Sequence, residues 1–235
     1  MDKIINTLIE DLKNIFKEKL ASVILYGSYA SGNYHKGISD INLIVILDKL
    51  QAHDLKIAYP AIKKWKKSNS PVPLFMDKDE WYTSCDVYAI EYSDIKERHK
   101  ILYGEDLISG LTVDKKHLRL QCESEIKNLL VRLRQAYLAN SDNTKALDNI
   151  IKKSSTSFVA IFRAVLRLLD EKIPLSHREV VELSSSKISI DKDVFIEILN
   201  FRENNKNIQK DRIDNIIKKL IDSLYQALIF VDKAN

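Results

Sequence analysis

Apolar positions along this chain recur in two periods, and the change from one to the other divides it. Ile4, Ile5, Leu8, Leu12, Ile15 and Phe16 fall three and four apart, which predicts an amphipathic helix over residues 2–19. Residues 21–26 form a short apolar run rich in strand formers. Residues 40–47 follow as a second strand whose latter half, Leu43-Ile-Val-Ile-Leu47, is continuously apolar. A run of that kind predicts a central strand covered on both faces. Residues 51–67 return to helical spacing. Residues 71–76 predict an edge-like strand, because prolines cannot donate to a ladder, and Asp77 is suited to cap a brief helix through Thr83. Asp86-Val-Tyr-Ala-Ile-Glu91-Tyr92 alternates, which predicts a further strand with Asp86, Tyr88 and Ile90 on one face and Val87, Ala89 and Glu91 on the other.

Beyond about Leu111 only the helical period remains. One stripe is Leu118, Cys122, Ile126, Leu129, Leu133 and Tyr137; a second is Phe158, Ile161, Phe162, Val165 and Leu169; a third is Ile213, Ile217, Leu220, Leu224 and Leu228. Ser176-His-Arg-Glu179 has the form of a capping box that opens another helix after Pro174. Gly104 and Gly110 mark a boundary. The expectation is an α+β chain: a mixed sheet flanked by helices over residues 1–110, then a bundle of four or five helices over residues 111–235.

Composition narrows the setting. Two cysteines, Cys85 and Cys122, are too few for a disulfide framework and lack metal-ligand spacing, so both read as free thiols. The charged N-terminus carries no signal-peptide stretch and no run is long enough to span a bilayer, which predicts a cytoplasmic protein. A net charge of +4 with both signs interspersed reads as a solvated surface. The exception is Lys63-Lys-Trp-Lys-Lys67, which suits a nucleic-acid backbone or a polyphosphate, or the outer face of a helix with Trp65 turned inward.

The chemistry is concentrated between the first two strands. Gly27 and Ser28 follow the first strand, and Asp40-Ile41-Asn42 opens the second; Gly27, Gly32 and Gly37 are three of only five glycines. A glycine lets the backbone turn sharply and approach a ligand, and a short helix opening at Ser28 would present unpaired N–H groups to a phosphate. Residues two apart on a strand share a face, so Asp40 and Asn42 aim together at whatever Gly27 and Ser28 hold. Carboxylates so placed bind the metal ions of a two-metal phosphoryl-type transfer. Asn42 offers a carbonyl oxygen without the charge, and a unit charge at about 4 Å contributes roughly 4 kcal/mol at an effective dielectric near 20, so the metal site is weakened.

Gly27-Ser28 with Asp40-Ile41-Asn42 resembles the signature of the DNA polymerase beta-type nucleotidyltransferase superfamily, whose second Asp is here Asn42. The stretch from Glu91 through Asp106 resembles the segment after the next strand in a bacterial group of nucleotidyltransferase-domain proteins similar to aminoglycoside nucleotidyltransferases. Members of that group can carry Asp-x-Asn. The resemblance implies a nucleotidyltransferase domain over residues 1–110, with Glu91 as general base and third metal ligand and Asp86 in reserve. It also implies a cleft-facing helix at Lys152–Arg163, on which Lys152 and Lys153 could neutralise phosphate and Ser154 could bind the acceptor. Two monomers commonly share such clefts, so a homodimer is compatible with it.

Three functions compete. The first is Mg-dependent transfer of a nucleoside monophosphate from an NTP such as ATP to a hydroxyl acceptor, a small molecule before a nucleic acid. There Gly27, Ser28 and Lys153 bind nucleotide, Asp40, Asn42 and Glu91 bind metal, and Asp40 and Glu91 are catalytic. The second is a catalytically degenerate nucleotide-binding or regulatory protein of the same fold. The third is the antitoxin side of a toxin–antitoxin pair. It ranks last, because the helical half lacks the Arg-x4–6-His spacing of the toxic partners: His177 lies ten residues after Arg167.

Overall fold

The computed structural model describes residues 2–30 and 40–234, in two compact units, Met1–Val113 and Asp114–Asn235. In the first, α1 (Asp2–Phe16) and a 3-10 turn lead into β1 (Leu20–Tyr26), which pairs antiparallel with β2 (Asn42–Leu47). α2 (Ala52–Trp65) crosses back to β3 (Leu74–Asp77), parallel to β2. Next come α3 (Lys78–Thr83), α4 (Ala89–Glu97) and β4 (His99–Gly104), which pairs antiparallel with β1. The strand order β3-β2-β1-β4 leaves β1 and β2 inside the sheet.

That placement explains the continuous apolar runs. On one face Val23, Leu25, Leu43, Val45 and Leu47 pack with α1 and α2; on the other Ile24, Ile44 and Ile46 pack with Trp81, Tyr92 and Ile95. α1 buries Ile5, Leu8, Leu12 and Phe16. Prolines 71 and 73 precede edge strand β3, so neither removes a ladder hydrogen bond. Asp77 caps α3, its carboxylate accepting from the Glu80 N–H at 2.9 Å.

The strand expected at residues 86–92 is a correction: the chain turns at Ser84, whose carbonyl accepts from the N–H groups of Val87 and Tyr88, and α4 begins at Ala89. Burial decides it. Ala89, Ile90, Tyr92, Ser93 and Ile95 are the buried positions, a helical rather than an alternating set. The sheet position passes to β4, a strand that the apolar pattern left unassigned.

The second unit holds α5 (Lys115–Ala139), α6 (Thr144–Leu168), α7 (His177–Lys187), α8 (Lys192–Glu203) and α9 (Lys210–Lys233). Phe158 and Phe162 of α6 each meet Phe195 of α8 with ring centroids 4.8 Å apart. Ser176 caps α7 by accepting from the Glu179 N–H at 3.1 Å. With a mixed sheet in one unit and helices alone in the other, the fold class is α+β. No helix among the described residues is long and apolar enough to cross a membrane.

Candidate active site

One end of the sheet gathers the residues singled out for chemistry. Tyr26, last in β1, stands opposite Asn42 on one side and His99 on the other. Gly27 follows with φ 81°, the left-handed region that favours glycine. Its N–H donates to the Arg98 carbonyl at 3.0 Å, which ties the turn to the start of β4. A Cβ built at Gly27 would lie 3.4 Å from Asn42 Nδ2, so the turn and the Asn42 amide are in van der Waals range. Residues 28–30 form a turn. The remainder of the helix expected from Ser28, with Gly32 and Gly37, lies outside the described residues.

Alternation assigns Asn42, first in β2, to the face of Ile44 and Ile46, which pack with Tyr92 and Ile95 of α4; Asp40 precedes the strand by two residues. Asp40 is exposed and Asn42 half-buried. Tyr26 packs on the same cluster. Its phenol is held above its ordinary pKa by burial first and by the Glu91 carboxylate second. Glu91 therefore lies within electrostatic reach of the residue paired with Asn42, although it sits in the first turn of helix α4 and not on a strand. Asp86 is exposed in the turn before α4. Arg98, with a 2.8 Å ion pair to Asp94, completes this end of the sheet. Sequence reasoning missed Tyr26, Arg98 and His99; the signal was the run Lys100-Ile-Leu-Tyr-Gly104, apolar and closed by glycine, which marks a strand.

The site tests its own metal chemistry. Among the described residues no group of three or more His, Cys, Asp or Glu side chains is placed to hold a metal ion. Asp40, an exposed carboxylate, and the Asn42 carbonyl oxygen fit one hard cation that keeps most of its waters, as Mg²⁺ does.

In the second unit Lys152 is engaged by Asp148 at 2.7 Å and by Asn207 at 3.3 Å. Ser154 is buried and donates to the Ile151 carbonyl at 2.6 Å, so its hydroxyl is already satisfied within α6. Lys153 is exposed. The thiols are free; burial pushes Cys85 up and Cys122 to about 12, which leaves neither reactive.

The family model of the nucleotidyltransferase domain matches residues 5–137, more than half of the chain and all of the glycine turn, Asp40 and Asn42. The chain belongs to the nucleotidyltransferase domain family. Among solved structures, this nucleotidyltransferase-domain protein is similar to the spectinomycin adenyltransferase AAD(9) from Enterococcus faecialis, determined with ATP and spectinomycin. The TM-score is 0.62 at 15% identity, over 96% of this chain and 99% of that one. At that identity the likeness shows the fold alone. A toxin–antitoxin structure with AMP-PNP aligns at 22% identity over 43% of this chain and 73% of that one, with a TM-score of 0.30 that carries no argument. No curated protein matches.

Proposed function

We propose that this chain transfers a nucleoside monophosphate from an NTP, ATP first, to a hydroxyl acceptor with release of pyrophosphate. The observation that carries the reading is the convergence, within a nucleotidyltransferase-domain match, of Gly27 at positive φ, Asn42 beside it, exposed Asp40 two residues before Asn42 and Glu91 within charge range of Tyr26. The acceptor oxygen forms a bond to the α-phosphorus while the bond from that phosphorus to the bridging oxygen breaks, and pyrophosphate leaves. Glu91 takes the hydroxyl proton. The Gly27 turn and Ser28 seat the triphosphate. Asp40 and Asn42 would hold Mg²⁺, which supplies charge neutralisation of the phosphates when bound. The name of AAD(9) makes spectinomycin the first acceptor to try, with aminoglycosides next.

The test is pyrophosphate release from each of the four NTPs, with Mg²⁺, over a panel of aminoglycosides and other polyols, in wild type and Asp40→Ala. The expected result is release that needs acceptor, Mg²⁺ and Asp40. Turnover undiminished in Asp40→Ala would remove Asp40 from the site.

A second reading is favoured by one observation: beside the Gly27 turn stands an amide, Asn42, and not a carboxylate. On that reading the chain binds NTP and does not turn it over. It predicts that Asn42→Asp raises transfer at least tenfold by restoring the missing charge. An unchanged rate in a metal-loaded Asn42→Asp variant excludes it.

A further inference from the structure

Helix α2 carries a basic face with an aromatic set into it. Lys56, Tyr59 and Lys63 fall within roughly a 60° arc at 3.6 residues per turn, and Lys66 and Lys67 extend the basic surface in the 3-10 turn Lys66–Ser68 that follows. All are exposed, Tyr59 at 58%. The sole acid of the helix, Asp54, is buried and faces Lys19 at 2.5 Å, so it does not offset this face. Lys64, turned aside, is bound by Asp11 of α1 at 2.9 Å. Among the described residues the four lysines of the face make no ion pair.

The face leads to the candidate site. α2 returns from the far end of β2, and β3 then runs parallel to β2, so the segment between them lies beside the start of β2. Ser70 Oγ accepts from the N–H of Ile41, the residue between Asp40 and Asn42, at 3.4 Å. Trp65, 1% exposed, donates to the Pro71 carbonyl at 2.7 Å and fixes the turn that carries Lys66 and Lys67.

We infer that this face binds a single-stranded nucleic acid, with its sugar–phosphate backbone on the four lysines and a base on Tyr59. Cations and an aromatic along one line suit that ligand, since phosphates repeat along it and every base offers a π face. From Lys56 to Lys67 the helix and the 3-10 turn after it rise roughly 18 Å, the axial rise of about five nucleotides. The site goes beyond the proposed transfer to a small molecule and is tested without it.

The experiment is fluorescence anisotropy of labelled 12-nucleotide RNA and DNA single strands with the full chain, from 50 to 200 mM salt, without NTP or Mg²⁺. Wild type should show a log–log salt slope of about −2 to −3, near 0.7 per lysine. The triple variant K63Q/K66Q/K67Q should lose about two units of that slope and bind at least tenfold more weakly at 50 mM. Tyr59→Ala should weaken binding by roughly 5- to 150-fold and leave the slope unchanged. Lys145, Lys192 and Lys210, exposed in the other unit, are changed to Gln as the equal-charge control and should alter neither. Thermal unfolding checks that each variant folds. Equal losses in the control triple, or a lower melting temperature of K63Q/K66Q/K67Q with the slope retained, would mean net charge or helix-end stabilisation and overturn the proposal. So would the absence of binding by wild type. Asp40→Ala should bind strands as wild type does; loss of transfer in it alongside absent strand binding leaves the transfer reading standing and removes this one.

Discussion

At one end of the four-stranded sheet a glycine turn is stapled by hydrogen bonds and ion pairs; at the other a glycine turn stands beside the Asn42 amide and an exposed carboxylate. Gly104 and Gly27 have nearly the same backbone, φ 83° and 81°. At Gly104 a Cβ would lie 2.0 Å from the Ala21 carbonyl oxygen. Around it Ser22 donates to the Glu105 carbonyl at 2.9 Å, and Lys78 bridges Asp48 and Glu105 at 2.8 Å each. At Gly27 the nearest atom to such a Cβ is Asn42 Nδ2 at an ordinary 3.4 Å, and Asp40 is exposed. At the Gly104 end Lys78 neutralises two carboxylates; at the Gly27 end Arg98 is paired with Asp94 while Asp40 stays exposed, open to a ligand that would supply its partner.

The sharpest way to break this comparison is Glu91→Gln. If Glu91 takes the acceptor proton, kcat falls by about 10²- to 10⁴-fold while nucleotide affinity is kept, because a base acts on the reaction and not on the triphosphate. Single-turnover rates with titrated ATP separate the two. A change of less than threefold in kcat would make Glu91 the first-turn acid of a helix, stabilised by the helix dipole, and nothing more.

The glycines come next. Gly104→Ala should destabilise the chain by roughly 3 kcal/mol, since positive φ and a backbone clash act together. Gly27→Ala meets strain without the clash, so about 1–2 kcal/mol is expected, with a disproportionate loss of nucleotide binding. Urea unfolding beside ATP titration reads both. If the two variants lose stability equally, the ends of the sheet do not differ in this way.

These same positions show how far residue identity reaches. β1 and β2 were legible because strands covered on both faces carry unbroken apolar runs, and α3 because Asp77 is a side-chain cap. The helical unit was legible from its stripes, with Phe158, Phe162, Leu220 and Leu224 all buried. The Glu91 segment was not, because seven alternating residues also fit the first turn of a helix when the buried set continues to Tyr92, Ser93 and Ile95. The link from Gly27 to Arg98 runs between main-chain groups, which leave no trace in residue identity. Of the Lys63–Lys67 cluster, the outer face of a helix with Trp65 turned inward was legible: Trp65 is buried and the lysines are exposed.

The smallest effect tests the closed end alone. Asp54 accepts from Lys19 Nζ at 2.5 Å and from the Gln51 N–H at 2.8 Å. The Lys19 hydrogen bond, and after it the Gln51 N–H, hold its carboxyl below the ordinary carboxylate pKa. A depressed folded pKa contributes stability that is fully present above the unfolded value of about 3.9 and is lost as pH falls through the folded value. Asp54→Asn should therefore cost about 1–2 kcal/mol near neutral pH, reduced from a buried pair because Lys19 is partly exposed. The gap between variant and wild type should close as the pH drops below about 4. Urea unfolding at neutral pH and near pH 3 measures it. Transfer activity should be untouched at neutral pH, because the pair lies at the end of the sheet away from Gly27. A pH-independent gap would mean that Asp54 acts as a hydrogen-bonding cap for α2 and not through its charge.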